Sequence, residues 1–214
     1  MKINMAGSAF GRRMCRSCFS LFFSLMCLFQ ANDVASSPVD DEKMLCSFFP
    51  QGQLKQYKEK FFEDNQFNGK FFLGLLENED VEIKHAVLNA LQWSRLRELA
   101  GPKQWDAIRL AVIGLLKDKD KDLKLSAMLC AKYFWRDDND HHFAKALANH
   151  LREKDEWTVV CAIKGLWAFH EYVHGSEKII DDLKVLAVDE SRSLVQLEAT
   201  KLLIEFVEPQ RTKN

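Results

Sequence analysis

The chain has 214 residues, 47% of them hydrophobic and 29% charged, enough for one sizeable folded domain or a short repeat array. Its formal net charge is −1, so no basic surplus exists to neutralise phosphates, which argues against nucleic acid as the main partner. With 9 Gly and 4 Pro, turns are few and long helices are favoured.

The first 36 residues stand apart. Lys2, Arg12, Arg13 and Arg16 precede the apolar run CFSLFFSLMCLF (Cys18 to Phe29), and the polar stretch QANDVASSP follows. A positive segment, about a dozen apolar residues and a small-residue exit have the layout of a secretory signal peptide. The run is shorter than the roughly 20 residues of a comfortable membrane span. The expectation is export to a periplasm or secretion, with cleavage near Ala35 or Ser36. Because the basic segment is long, an uncleaved membrane anchor is the alternative. A lipid-modified Cys27 is weaker, since Ser24-Leu25-Met26 lacks the small residues such a site needs. Removing 1–36 takes four basic residues and one acid from totals of 30 and 31, leaving a net charge of −4.

That removal also leaves three of the six cysteines, Cys46, Cys130 and Cys161. Cys15 and Cys18 form a CxxC, but inside the export signal. An odd number describes no disulfide framework, and Cys130 and Cys161, among apolar residues at helical spacing, read as buried small hydrophobes.

Residues 37–66 are expected to form a linker and an N-terminal capping helix, the helix taking in 41–66 with LKQYKEKFFED. Four amphipathic helix pairs follow. The first helices are FNGKFFLGLLE (67–77), KQWDAIRLAVIGLLK (103–117), HHFAKALANHLRE (141–153) and SEKIIDDLKVLAV (176–188). The second helices are EDVEIKHAVLNALQW (79–93), KDKDLKLSAMLCAKY (119–133), KDEWTVVCAIKGLWA (154–168) and SRSLVQLEATKLLIE (191–205). Short polar turns, NED, DKD, KD and DES, separate the two. Each second helix opens on an apolar or β-branched residue (Ile83, Leu123, Thr158, Val195), and Asp80, Asp120 and Asp155 stand three residues before the first three openers, placed to cap the helix. In the fourth copy Ser191 or Ser193 is expected to cap instead. The tail from 208 to 214 reads as frayed.

The turn Asp followed by an apolar, a basic and then small residues, as in D-V-E-I-K-H-A-V and D-K-D-L-K-L-S-A, resembles the HEAT repeat family over about residues 67 to 207. Copy three departs with Val159 at the basic position, and copy four with Gln196 there and Arg192 at the turn Asp. The resemblance implies an all-α fold: a short right-handed α-solenoid of about four HEAT-like helical hairpins with a concave face of second helices. The alkylpurine DNA glycosylases resemble the chain in size and helical repeat, but they work in a basic cleft, and neither the charge nor an export signal suits them.

HEYVH, His170 to His174, matches the zinc-hydrolase pattern H-E-x-x-H, with His170 and His174 as ligands and Glu171 as general base. The repeat register places His170 in the last turn of the third second helix and His174 and Gly175 at or beyond its end, with Gly175 as a C-cap signal. That reading leaves no metal site and no catalytic residue. DDNDHH (137–142) reads as an acid-capped helix start.

One feature points to binding. The face of the second helices opposite the openers is mostly polar in copy one (His85, Leu88, Asn89, Gln92). It becomes Leu125, Met128, Leu129 and Lys132 in copy two, Val160, Ile163, Lys164 and Trp167 in copy three, and Leu197, Thr200, Lys201 and Ile204 in copy four. Such a stripe is either a groove for a protein or peptide or is covered by the chain itself, through Cys46 to Pro50 or the C-terminal tail. The expected activity is that of an exported, non-enzymatic interaction module with a protein or peptide partner, no cofactor, and membrane contact only through an uncleaved N-terminal segment.

Overall fold

Asp80, Asp120 and Asp155 each stand in extended backbone just before a helix. Their carboxylates accept the backbone N–H of Glu82 at 2.8 Å, Leu123 at 2.8 Å and Thr158 at 2.9 Å. A cap of this kind satisfies donors the helix leaves open and contributes about 1 kcal/mol. The computed structural model describes residues 38–49, 57, 59–64, 66–136 and 141–206. They contain α1 (Pro38–Cys46), a two-stranded antiparallel hairpin of β1 (Phe62–Glu63) and β2 (Gln66–Phe67), and then α2 (Gly69–Leu76), α3 (Val81–Ala90), α4 (Arg95–Leu115) and α5 (Lys121–Leu129). After these come α6 (His142–Ala148), α7 (Glu156–Leu166), α8 (His170–His174), α9 (Glu177–Ala187) and α10 (Ser193–Phe206). Single 3-10 turns prolong α5 (Cys130–Tyr133), α6 (Asn149–Arg152) and α7 (Trp167–Phe169).

The fold is all-α apart from that hairpin, and the helix pairs fall where the repeat places them. Helix α4 is two helices joined at Gly101, whose φ of 67° and ψ of 168° suit glycine. Pro102 then starts the second of them, a position that needs no N–H. The pairs are α2 with α3, the later part of α4 with α5, α6 with α7, and α9 with α10. The second helices α3, α5, α7 and α10 pack on one another in chain order, and so do the first helices, through α2 on α4 and α4 on α6. Ile83, Val87, Leu123, Ala127, Val159, Ala162, Val195 and Ala199 fill the space between them.

The turns inside each pair also join one pair to the next. Asn78, Asp118 and Asp189 each accept the backbone N–H two residues on, from Asp80, Asp120 and Ser191 at 2.8, 2.9 and 3.1 Å. The basic residue of the repeat then reaches the following turn: Lys84 Nζ donates to Asp118 at 3.3 Å, and Lys124 Nζ to Glu153 at 3.1 Å. Lys121 Nζ donates to Asp155 at 2.5 Å. In copy three Val159 is buried and cannot reach out. There the link runs from the fourth pair, as Arg192 Nη1 donates to the Glu153 carbonyl at 3.2 Å and Leu194 N–H to Glu156 Oε1 at 3.3 Å.

Two local expectations change. Neither Ser191 nor Ser193 caps α10: Ser191 Oγ donates to Asp189 at 2.5 Å, and Glu156 of the neighbouring helix receives the Leu194 N–H. Residues 41–66 are not one capping helix. Helix α1 ends at Cys46, Tyr57 and Phe61 lie on a separate helical stretch, and Asp64, at φ 49°, turns the hairpin. The composition explains the break, since Phe49, Tyr57, Phe61 and Phe71 form one aromatic cluster and a straight helix could not bring the first three together.

Candidate binding surface

The side chains of the sequence stripe do not share one environment. Met128, Val160 and Ile163 are buried in the core. Leu125 and Trp167 are half-buried, and Lys132 and Lys201 are exposed. Leu129, Leu197 and Ile204 are 37%, 51% and 54% exposed. The division follows helix geometry. Position five after the opener (Leu88, Met128, Ile163) lies about 140° round the helix from it, on the shoulder facing a neighbouring second helix. Positions two, six and nine point away from both neighbours, although Val160, at position two of α7, is buried as well.

What remains is a narrower surface. Leu125 and Leu129 lie on α5, Trp167 on the turn after α7, and Leu197 and Ile204 on α10. The ring of Trp167 packs edge-on against Phe206 at 5.1 Å between centroids. Lysines border it: Lys132 Nζ sits 5.1 Å over the Tyr133 ring, Lys164 is exposed, and Lys201 Nζ donates to Glu198 at 2.9 Å. A surface of exposed leucine and isoleucine with a half-buried indole and a cationic edge suits an apolar segment carrying acidic residues. The stretch from Cys46 does not serve as its cover, because Phe49 is buried against Phe61, 5.0 Å between centroids. Residues 207–214 and Pro50 lie outside the described residues.

Both histidines of HEYVH stand on α8, a helix separate from α7. Phe169, at φ −111° and ψ 37°, breaks the helix between them, so His170 begins a new turn instead of ending the old one. Gly175 follows in right-handed backbone and donates to Glu171 O at 3.1 Å, so the left-handed glycine cap is not formed. His170, Glu171 and His174 are exposed, and the His170 ring stacks on Phe206 at 5.3 Å. Among the described residues no three His, Cys, Asp or Glu side chains come together as a metal site. Of DDNDHH, Asp137 to Asp140 lie outside the described residues. His141 precedes α6 in left-handed backbone, and its ring stacks on Tyr172 at 4.6 Å.

Cys130 and Cys161 are buried, as their spacing implied, and burial pushes their thiols up to about 12 and about 11. Neither has a thiolate to offer at neutral pH. Among the described residues no helix is long and apolar enough to cross a membrane, and the N-terminal apolar run lies outside them. Neither a protein-family model nor a curated protein matches this chain.

Proposed function

We propose that this chain is an exported, non-enzymatic interaction module. In this reading its hairpins form a short HEAT-like solenoid, and a protein or peptide partner lies across the second helices. The carrying observation is the exposure of Leu129, Leu197 and Ile204 on helices whose opposite faces are buried in the core, beside the half-buried Trp167. Export rests on the sequence pattern of residues 1–36. The lysine border favours a partner segment that mixes apolar and acidic residues.

The test pairs crosslinking in the native compartment with a double variant, Leu197→Glu with Ile204→Glu, whose positions are more than half exposed. A partner caught by the unchanged chain and lost from the variant, with helicity and melting retained, supports the reading. Equal capture by both overturns it. The competing reading is a zinc-dependent hydrolase using His170, His174 and Glu171, favoured by the i, i+4 placement of the two histidines on one helical turn. Near one zinc per purified chain, lost in His170→Ala, would replace the first reading with this one.

A further inference from the structure

Position six after the opener is Leu129 on α5, Lys164 on α7 and Lys201 on α10, three helices that pack on one another in chain order. Apolar residues lie on both sides of that row. Position two holds Leu125, Val160 and Leu197, and position nine holds Trp167 and Ile204 beside Lys132. Lys164 therefore stands on the middle helix, with Val160 one turn before it, Trp167 one turn after it and Leu129 at its own level on α5.

The three lysines of this surface differ in what holds them. Lys201 Nζ donates to Glu198 at 2.9 Å, and Lys132 Nζ sits 5.1 Å over the Tyr133 ring. Lys164 is exposed and has no hydrogen bond or ion pair among the described residues. Its neighbours one turn away on α7 and the turn after it are Val160, Cys161, Trp167 and Ala168, none of them an acid. On the open surface, water solvates this ammonium. A segment that crosses from Leu129 to Leu197 passes over α7 and displaces that water. An ammonium covered by apolar side chains and left unpaired is costly, whereas one met by a carboxylate gains a charge-assisted hydrogen bond. A purely apolar segment is thus selected against, and the acid is needed in the middle of the covering segment, not at its edge.

Resting on the reading of the second helices as a docking surface, we infer that Lys164 is its specificity-determining contact. The partner is a protein segment with an Asp or Glu set between apolar residues, its carboxylate paired with Lys164 Nζ while its apolar side chains cover Leu129, Trp167 and Leu197.

The test is zero-length crosslinking of the full chain in its native compartment with a water-soluble carbodiimide, which joins an ammonium to a carboxylate in direct contact as an amide. Peptide mass spectrometry then locates the bond. An amide between Lys164 Nζ and an Asp or Glu flanked by apolar residues in another protein is expected. Lys164→Glu should lower capture of that protein by a long-arm crosslinker on the order of tenfold or more, and Lys164→Arg, which keeps the charge, should restore it, with helicity unchanged in both. Equal capture by Lys164→Glu, or amides to the partner only through other lysines, overturns the role of Lys164. If Leu197→Glu with Ile204→Glu still abolishes capture in that case, the docking surface itself stands. An amide from Lys164 to Glu208 or to the chain's own C-terminal carboxylate makes the tail the occupant and overturns the partner. No partner on the unchanged chain, or equal capture by the double variant, overturns the docking surface and the role of Lys164 together.

Discussion

Arg95 Nε donates to the Asp41 carboxylate at 2.9 Å, joining the first described helix to the start of α4 across 54 residues. The two ends of this pair are unequal: the Asp41 side chain is 3% exposed and that of Arg95 32%. Removing either breaks the pair, but only one removal takes this cation from a deeply buried carboxylate. Arg95→Ala should therefore destabilise more than Asp41→Ala, by about 2 kcal/mol against about 1 kcal/mol. Urea midpoints of the two variants measure the difference. The reverse order would mean that Asp41 does not depend on Arg95 for its burial.

The turn ladder makes a pH prediction. Partial burial raises the Asp155 carboxyl, but hydrogen bonds from Lys121, Thr158 Oγ1 and the Thr158 N–H outweigh it and hold the group at about 2. Glu153 is lowered too, where bonds from His150 and Lys124 overcome burial, and Asp118 is lowered chiefly by the Asp120 N–H. A carboxylate lowered by folding contributes stability that is complete above its ordinary range and is lost as pH falls through the folded value. Stability should thus hold from neutral pH down to about 4 and decline between about 4 and 2. Asp155→Asn, which keeps a capping oxygen but loses the charge, should cost about 1 kcal/mol at pH 7 after allowing for solvent screening. That deficit should shrink toward zero near pH 2 in urea titrations at stepped pH. A deficit that stays constant with pH would remove the ion pair from the account.

The same ladder shows what was legible beforehand. Asp80, Asp120 and Asp155 are local signals: each caps the helix that follows it, so sequence spacing alone locates the helix starts. The basic residue of the repeat could be seen at Lys84 and Lys124, but its role could not, because its acceptors Asp118 and Glu153 belong to the next pair. The apolar stripe was half legible for a related reason. A periodic pattern divides a helix into two faces, whereas α5 and α7 are covered by a paired helix and by neighbours on either side. Most of α7 is core, so Val160 and Ile163 fall inside it, and on α5 the core takes in Met128 but not Leu129.

Gly165 and Gly114 both lie inside helices, and substituting them should have opposite effects. A Cβ on Gly165 would stand 2.9 Å from the Met128 carbonyl oxygen and 2.9 Å from Leu147 Cδ1. The carbonyl belongs to backbone and cannot swing aside, so α5 and α7 must part. Alanine normally gains about 1 kcal/mol over glycine in a helix. At Gly165 that gain is outweighed, and Gly165→Ala should be destabilising by about 1 to 2 kcal/mol. Around Gly114 nothing lies within 4 Å, so Gly114→Ala should stabilise by about 0.5 to 1 kcal/mol. Melting temperatures shifting in the same direction for both would show that the helix contact at Gly165 is looser than this.

Ile163 and Ile204 separate core from surface on the same set of helices. Ile163 is fully buried on α7, between the helices that flank it, and a glutamate there would have to ionise without water or remain protonated. Ile163→Glu should lower stability by more than about 4 kcal/mol, enough to lose the cooperative melt of a typical domain. Ile204 lies on α10 with 54% of its surface exposed, and Ile204→Glu should change stability by less than about 1 kcal/mol. The second variant is therefore the informative one for the proposed binding, because its fold remains while an acid replaces the exposed isoleucine beside Lys201. Paired thermal melts and crosslinking decide the matter. A stable Ile163→Glu would mean that α7 turns that side chain to solvent. An unstable Ile204→Glu would mean that residues beyond Phe206 pack over α10, leaving no open surface there for a partner.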